Sequence, residues 1–300
     1  MSHPRPTAAL VLALAAAGAA AEPVHIFWFG NSHTGWNGVP DFGETGVIDL
    51  FSFTAVQAGR EAPINFWFVQ GGADLRDHYL QRSRLTSRLP EGETWDHVVL
   101  QGHSEENIAQ LRSDFNNFHL AGNALDAEAR ITSPDVQTIL FQTWAHAPGH
   151  DVYAAQGGPV PDVQNYHEQM RSAYRTLEST INAAHGPGSA EVAPVGEAFA
   201  AAGWDASLYR SDFNHANARG ALLAALVLYG TIYDDPTLRD IEVAFGGTSD
   251  LERRLLALGL DETDWLEMTA LAEAVLVPAP GPFVLAAAAG AMGVRRRRGR

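Results

Sequence analysis

The sequence of 300 residues contains no cysteine. This absence excludes thiol catalysis and cysteine-ligated metal sites. It also excludes disulfide bonds, so an exported form of the chain depends on its apolar core for stability. Because 46% of the residues are apolar and no long linker interrupts the sequence, the chain is large enough for one domain with one substantial core.

Several other patterns are absent as well. The sequence has no lysine, no internal repeat, and no glycine-rich phosphate loop that ends in lysine. A zinc-binding His-Glu-x-x-His pattern is also missing. His146 and His150 are four residues apart, but Pro148 and Gly149 between them indicate a loop. We therefore predict neither a metal site nor a cofactor.

Negative charge dominates the part of the chain between its two ends. Arg5 and the five arginines after residue 294 are six of the twenty basic residues. The remaining 14 arginines face 35 acidic residues, which gives the intervening part a net charge of −21. Nucleic acids and anionic membrane surfaces are therefore poor partners, because like charges repel each other.

The N-terminus is typical of a secretory signal peptide. Arg5 precedes an apolar, alanine-rich stretch from Thr7 to Ala21, and this stretch ends in Ala-x-Ala patterns. We therefore expect residues 1–21 to be a signal peptide that is removed on export.

The C-terminal residues 277–300 have three parts. A proline-rich segment precedes an apolar stretch of about twelve residues, and the arginine block 295–298 follows it. This order resembles the PEP-CTERM sorting signal of Gram-negative bacteria, with Ala279 in place of the glutamate. An ordinary C-terminal anchor is the alternative. The apolar stretch, however, is shorter than the ~20 residues that span a bilayer as a helix, which favours the sorting signal.

The resemblance to a sorting signal implies where the protein is found and what it meets. It implies export to the periplasm, the cell surface or the medium of a Gram-negative bacterium, with a transient membrane anchor. The implied partners are the export machinery and an exosortase-like sorting enzyme.

The first motif that points to chemistry is Gly-Asn-Ser-His-Thr at residues 30–34. It follows residues 24–29, an apolar run rich in aromatic and β-branched side chains that predicts a buried strand. Ser32 then lies just beyond the carboxyl end of that strand, where open α/β sheets place their ligands. A serine hydroxyl becomes a nucleophile only beside a base. The alternative is that Ser32 simply closes the turn.

A second motif, Asp-Phe-Asn-His at residues 212–215, supplies the missing groups. Asp212 precedes His215 by three residues, close enough for a tight turn to direct the carboxylate at one ring nitrogen while the other faces Ser32. The alternative is that Asp212 caps the helix predicted at residues 217–233. Because the two motifs together contain the parts of a Ser-His-Asp hydrolase, we predict Ser32, His215 and Asp212 as the catalytic residues.

These motifs resemble the nucleophile block and the Asp-x-x-His block of the SGNH (GDSL-like) hydrolases, with Asn31 where many members carry aspartate. The resemblance covers most of residues 24–233. In that family the oxyanion is held by the serine amide, by a glycine amide after the second strand and by an asparagine side chain after the third. The resemblance therefore implies Ser32 and Gly72 as two of the donors.

The third donor has two candidates, because Gly-His-Ser-Glu at residues 102–105 stands where the family usually has Gly-x-Asn-Asp. Gln101 offers an amide like that of asparagine and is the preferred candidate, whereas Ser104 has the better alignment. Three side chains in loops after predicted strands are expected to line the substrate pocket: His103, Trp144 and His146.

Strand-like and helix-length stretches alternate along the chain. Besides residues 24–29, strands are predicted at residues 64–70, 97–100, 136–142 and 190–195, and helices at residues 46–59, 73–88, 113–129, 163–184 and 217–233. This alternation predicts an α/β fold, a three-layer sandwich with a mostly parallel sheet of about five strands between helices. We expect the hydrolase domain to span residues 22–276, with a mostly helical C-terminal part from about residue 236.

These features together predict an exported serine esterase of the SGNH type. Export and the acidic charge favour a neutral glycan over an anionic lipid, so we expect the enzyme to remove short acyl groups from a carbohydrate or another ester. Two alternatives stay open. One is a lysophospholipase- or thioesterase-like enzyme, and the other is a surface glycan-binding protein on a hydrolase scaffold that has lost catalysis.

Overall fold

The computed structural model describes residues 22–35, 46–112 and 116–277. The predicted signal peptide and the part of the predicted sorting segment beyond Val277 lie outside these residues. Within the described ranges, no helix is both long enough and apolar enough to cross a bilayer.

A parallel sheet of five strands forms the centre of the fold. Its strands are β1 (His25–Gly30), β2 (Ile64–Val69), β3 (His97–Leu100), β4 (Gln137–Phe141) and β5 (Ala190–Ala193), in the spatial order β2-β1-β3-β4-β5. β1 pairs with both β2 and β3, so the direction of strand order reverses at β1. The carboxyl end of β1 therefore lies at the switch point, where open α/β sheets bind their ligands. The predicted α/β fold with a parallel sheet is confirmed.

Helices cover both faces of the sheet. They are α1 (Gly46–Gln57), α2 (Leu75–Leu80), α3 (Arg84–Ser87), α4 (Asn116–Thr132), α5 (Val163–His185), α6 (Val195–Ala201), α7 (Ala218–Ile232), α8 (Asp250–Ala257) and α9 (Glu262–Leu276). α7 packs against α1 and α9 on one face, while α4 packs against α2 and α5 on the other. The C-terminal helices α8 and α9 therefore share a core with the sheet.

The side chains of β1 show how the sheet divides the core. Ile26 and Trp28 face the cluster beneath α1 and α7, whereas Phe27 and Phe29 face the cluster beneath α2, α4 and α5. All of these side chains are fully buried. A strand covered on both faces needs apolar residues at every position, which explains why this run of the sequence is continuous rather than alternating.

Some predicted boundaries differ from the structure. The helix predicted at residues 73–88 is divided into α2 and α3, because the chain turns at Gln81, whose N–H donates to His78 O at 2.9 Å. The strand predicted at residues 190–195 ends at Ala193, since Pro194 has no N–H with which to extend the ladder.

The C-terminal part is mostly helical, as its sequence predicts, but its first α-helix begins only at Asp250. Residues 236–249 are irregular apart from a 3₁₀ turn at Leu238–Asp240, and α8 begins after them. α8 starts at a capping box in which Ser249 and Glu252 satisfy each other's backbone N–H groups. A helix needs such a start signal, and the segment before Ser249 contains the pair Gly246-Gly247, which favours irregular structure.

Candidate active site

The structure brings Ser32, His215 and Asp212 together at the carboxyl end of β1. His215 Nε2 lies 2.9 Å from Ser32 Oγ, and His215 Nδ1 lies 2.7 Å from Asp212 Oδ2. Because a carboxylate only accepts hydrogen bonds, the ring proton belongs on Nδ1, and Nε2 accepts from the serine hydroxyl. This order suits a nucleophilic serine, since the lone pair of Nε2 can take the hydroxyl proton.

A tight turn directs the carboxylate of Asp212 at the His215 ring. Asp212 Oδ1 accepts hydrogen bonds from the N–H groups of Asn214 and His215, both at 3.0 Å. Burial alone would raise the pKa of Asp212, but these bonds and the bond from the imidazole outweigh it and lower the pKa below its ordinary value. Asp212 is therefore ionised at neutral pH. It does not cap α7, because Asn217 occupies the N-cap.

The turn after β1 depends on a glycine. A Cβ at Gly30 would lie 2.3 Å from Thr34 Oγ1, because the side chain of Thr34 folds back under the turn. Thr34 Oγ1 donates to Gln101 Oε1 at 2.9 Å, and Thr34 N–H donates to Asn31 O at 3.0 Å. A larger residue at position 30 would displace Thr34 and with it the turn that presents Ser32.

Asn31 links the ends of neighbouring strands. Its Nδ2 donates to the carbonyl oxygen of Ala73 after β2, at 2.9 Å, and to that of Gly102 after β3, at 3.3 Å. Its own N–H donates to Gln101 Oε1 at 2.8 Å, and its Oδ1 accepts from His33 N–H at 3.1 Å. An aspartate could not donate the first two bonds. In the sequence Asn31 is visible only as a departure from the SGNH pattern, and no sequence signal shows this bridging role.

Both backbone amides predicted for the oxyanion hole lack a hydrogen-bond partner among the described residues: those of Ser32 and Gly72. Gly72 lies exposed after β2 with a φ of 72°, in the left-handed region that favours glycine. The next residue, Ala73, accepts the hydrogen bond from Asn31, so the loop of Gly72 is tied to the nucleophile turn. The donor roles of the two amides stay predictions.

Gln101 lies beneath the nucleophile turn and is fully buried. Its Oε1 accepts from Asn31 N–H and Thr34 Oγ1, and its Nε2 donates to Gly102 O. These contacts contradict the predicted oxyanion role of Gln101, because the fold already occupies both ends of its amide. The other candidate, Ser104, has a buried hydroxyl with no hydrogen-bond partner in the part of the chain that the structure describes.

A buried carboxyl group joins the loops after β2 and β3. Glu106 accepts hydrogen bonds from the N–H of Leu75, at 3.3 Å, and from that of His103, at 3.1 Å. A Cβ at Gly102 would lie 2.6 Å from Glu106 Oε2, so only glycine permits this close approach. Burial, and next the charge of Asp74, raise the pKa of Glu106 to about 8. The sequence gives no sign of this group.

The predicted pocket residues differ in exposure. Trp144 and His146 are fully buried, which contradicts the prediction that they line the pocket. Trp144 Nε1 donates to Asn214 O at 2.9 Å, and His146 Nε2 lies 3.1 Å from Tyr166 OH. Trp144 therefore supports the loop of His215 from behind, whereas His146 packs beneath the loop that follows β4, against Tyr166 and His150. His103 is partly exposed and stays a candidate for substrate contact.

A second imidazole packs against that of His215. His33 is buried, and its ring centroid lies 5.3 Å from that of His215 and 4.8 Å from that of Trp144. Burial, and next the proximity of His215, lower the pKa of His33 well below its ordinary value, so this ring is neutral. Among the described residues, no group of three or more histidine, aspartate or glutamate side chains could hold a metal ion.

Phe213, between Asp212 and His215, has a strained backbone. Its φ of 58° lies in the left-handed region, which costs a non-glycine residue roughly 1–2 kcal/mol. Its N–H donates to Arg210 O at 3.0 Å, and its carbonyl oxygen accepts from Ala147 N–H at 2.7 Å. Strain of this kind persists only where the surroundings impose it, and it is common at functional sites.

A cavity of about 190 Å³ opens beside Ser32. It lies on the side of Ser32 that faces α1 and α7. Its described lining is mainly apolar or small: His33, Thr34, Gly46, Val47, Arg210, Ala216, Asn217, Ala218 and Ala221. The hydroxyl of Ser32 therefore adjoins a small, mostly apolar pocket.

No family model and no curated protein matches this sequence. Similar solved structures include a DUF4886 family protein from Bacteroides uniformis, with a TM-score of 0.57, 14% identity, and coverage of 86% of this chain and 96% of that chain. A provisionally assigned SGNH hydrolase from Slackia heliotrinireducens has a TM-score of 0.52 and 22% identity over 70% of this chain and 100% of its own. The psychrotrophic esterase EstA from Pseudoalteromonas sp. has a TM-score of 0.50 and 12% identity over 70% of this chain and 97% of its own. The chain thus shares the fold of SGNH hydrolases.

Glu106→Gln should make the stability of the protein less dependent on pH. The folded-state pKa of Glu106, about 8, exceeds the ordinary value of 4.5, so its contribution to stability is complete below pH 4.5 and is lost as the pH rises through about 8. Glutamine keeps an oxygen that accepts both N–H groups, and it does not titrate. The melting temperature of the wild type minus that of the variant should therefore fall between about pH 5 and about pH 9. A difference that does not change with pH would contradict this prediction.

Proposed function

We propose that this chain is a serine esterase of the SGNH type. The observation that carries the proposal is the series of hydrogen bonds from Ser32 through His215 to Asp212, at the switch point of the sheet and beside an open cavity. The shared fold supports it. A protein that only bound glycans would have no need for a hydroxyl, an imidazole and a carboxylate in this order.

The proposed reaction proceeds through an acyl-enzyme. Ser32 Oγ attacks the carbonyl carbon of the ester while His215 Nε2 takes the hydroxyl proton, and the ionised carboxylate of Asp212 stabilises the imidazolium. The tetrahedral intermediate collapses when the C–O bond to the alcohol breaks and His215 gives its proton to the leaving oxygen. A water molecule, deprotonated by His215, then attacks the acyl carbon. The bond between this carbon and Ser32 Oγ breaks, His215 returns its proton to Oγ, and the carboxylic acid leaves.

Three donors stabilise the oxyanion in this proposal: the N–H groups of Ser32 and Gly72 and the hydroxyl of Ser104. Ser104 takes the place first predicted for Gln101, whose amide is engaged beneath the turn. Ser104 is only 1% exposed, so this role requires its loop to shift when the substrate binds. Its hydroxyl has no partner among the described residues, which is unusual for a buried polar group. A hydrogen bond made only to the transition state would explain this.

We propose that the acyl group is short. The cavity beside Ser32, about 190 Å³, is smaller than the roughly 300–1,000 Å³ of pockets that enclose drug-sized ligands. Ala218 and Ala221 form part of its wall from α7. This size argues against the long acyl chain of a lysophospholipase- or thioesterase-like substrate.

We also propose that the enzyme is exported and that its alcohol component is a carbohydrate. The predicted signal peptide and sorting segment support export. The net charge of −21 between those segments disfavours anionic lipid and leaves neutral glycans as the more compatible substrates.

Ser32→Ala should reduce kcat for p-nitrophenyl acetate by roughly 10⁴-fold or more, because no other group in the proposed site supplies the nucleophile. His215→Ala should cost a comparable factor and Asp212→Asn somewhat less, since the three groups act as a unit. Ser179→Ala, on the exposed face of α5, is the matched control and should keep full activity. Full activity in Ser32→Ala would contradict the nucleophile assignment.

Ser104→Ala and Gln101→Ala should separate a catalytic donor from a structural one. Ser104→Ala should lower kcat by roughly 10²-fold with little change in KM, because the proposed hydrogen bond forms only in the transition state. The melting temperature should change little, because the hydroxyl makes no hydrogen bond among the described residues of the folded protein. Gln101→Ala should lower the free energy of unfolding by about 1–3 kcal/mol for each donor left unpaired. Wild-type kcat in Ser104→Ala would show that the oxyanion hole lacks this donor.

Ala218→Leu should narrow the cavity and shift the acyl preference towards acetate. Each excess methylene group in a filled pocket changes selectivity by roughly 10-fold or more. The ratio of kcat/KM for p-nitrophenyl butyrate to that for p-nitrophenyl acetate should fall by about that factor. Ala183→Leu, on the exposed side of α5, is the control. An unchanged ratio would mean that the acyl group binds outside this cavity.

A further inference from the structure

Phe213 is an exposed aromatic side chain within the loop that carries His215. It is 38% exposed, although most other large apolar side chains of this region are buried. Its backbone is held in the left-handed region, with a φ of 58°. Phe213 is thus both strained and exposed, and it lies between two proposed catalytic residues. Contact of its ring with a ligand would explain why the fold keeps it in this position.

The ring of Phe213 lies against the loop that follows β4. A Cβ at Gly149 would lie 3.4 Å from the tip of the Phe213 ring, so a glycine leaves the ring uncovered there. Gly149 is exposed and has no left-handed φ that would require glycine. A long side chain at position 149, such as leucine, would therefore lie against the exposed ring and obstruct a ligand there.

Polar groups surround this aromatic ring. His150, next to Gly149, accepts a hydrogen bond at Nδ1 from Val152 N–H at 3.1 Å, so the proton of the neutral ring is on Nε2, where it can be donated. Burial is the main cause that lowers the pKa of His150, and the carboxylates of Asp151, Glu105 and Asp212 oppose it. Of these carboxylates, that of Asp151 is in direct contact, with Oδ1 at 3.2 Å from His150 Nδ1.

Glu105 supplies an acceptor on the neighbouring loop. Tyr166 joins this loop to that of His150, because its OH donates to Ser104 O at 2.9 Å and lies 3.1 Å from His146 Nε2, and the ring centroids of His146 and His150 are 4.0 Å apart. The side chain of Glu105 is partly exposed, and its carboxylate makes no hydrogen bond or ion pair in the part of the chain that the structure describes. The neighbouring His103 is also partly exposed, and its Nδ1 accepts from Glu105 N–H at 3.2 Å. The rim thus combines an open aromatic face, an imidazole donor and a carboxylate acceptor.

This combination matches the chemistry of a neutral sugar ring. The C–H groups of a sugar pack on the face of an aromatic ring, whose π-system is negative there. Sugar hydroxyls can both donate to the carboxylate of Glu105 and accept from His150 Nε2. The carboxylates of Asp151 and Glu105 repel a phosphate group, because like charges repel each other.

The position of this rim relative to His215 gives the bound sugar a role. His215 returns the proton to the leaving alcohol, so the alcohol must lie on the histidine side of Ser32. The described lining of the cavity includes Arg210 and Ala216, on either side of His215 in sequence, but not Phe213 or Gly149. In this proposal the cavity takes the acyl group, and the rim outside it takes the alcohol. We propose that Phe213, Gly149, His150 and Glu105 form a subsite for a neutral sugar ring, which is the alcohol component of the ester. This inference rests on the proposed esterase function.

The kinetic test compares two acetate esters, one with a sugar and one without. The probes are a partly acetylated xylo-oligosaccharide and ethyl acetate, whose alcohol is too small to reach the rim. Phe213→Ala and Gly149→Leu should each lower the ratio of kcat/KM for the first to that for the second by about tenfold, whereas Phe213→Trp should preserve the ratio. Trp67→Ala is the control, because Trp67 is an exposed aromatic residue on β2, 46% exposed, away from the loop of Phe213. Ratios that do not change in Phe213→Ala and Gly149→Leu would overturn the proposal.

A binding test keeps the subsite separate from catalysis. Xylotriose is titrated calorimetrically into Ser32→Ala and into the double variant Ser32→Ala/Phe213→Ala, with an expected increase in Kd of about tenfold in the second. Phe213-dependent binding without hydrolysis of either ester would support the subsite and contradict the esterase. Hydrolysis without Phe213-dependent binding would overturn the subsite alone. A preference for lysophosphatidylcholine over the sugar ester would also overturn it.

Discussion

One buried amide holds the nucleophile side of the candidate site together. Asn31 lies at the end of β1, and its NH₂ group donates to the carbonyl oxygens of Ala73 and Gly102 after the neighbouring strands, while Gln101 accepts its backbone N–H. A buried polar group that loses its partner costs about 1–3 kcal/mol. The ends of β1, β2 and β3 are therefore fixed relative to one another, and the position of Ser32 follows from that.

The histidine side is held by a different means, namely by a buried loop. Trp144 Nε1 donates to Asn214 O, and Ala147 N–H donates to Phe213 O, so the loop after β4 fixes the loop that carries His215. Trp144 belongs to the core cluster beneath α1 and α7. Packing of this core stabilises the left-handed conformation of Phe213. The free energy that the strain costs is small compared with the free energy gained by burying the apolar surface of the cluster.

The fold was largely predictable from the sequence, and the site only in part. The continuous apolar run of β1 is the pattern of a strand covered on both faces, and it gave the right element with nearly the right ends. Sequence position, however, does not give the direction of a side chain. Gln101 and Trp144 follow strands at the expected edge of the sheet, yet both point into the interior, and their predicted roles were wrong for that reason. Glu106 was missed because a buried carboxyl group leaves no periodic pattern in the sequence.

The sequence by itself determined which chemical groups are available and in which order they occur along an alternating α/β chain. Apolar periodicity fixes strands and helices because each element must bury one or both of its faces. Only the tertiary structure decided which groups meet. Ser32 and His215 are separated by 183 positions, and their hydrogen bond exists because β1 and the loop before α7 end at the same edge of the sheet. The same packing decided that Gln101 supports the turn, since a contact between distant residues depends on the direction of side chains, which only the folded backbone sets.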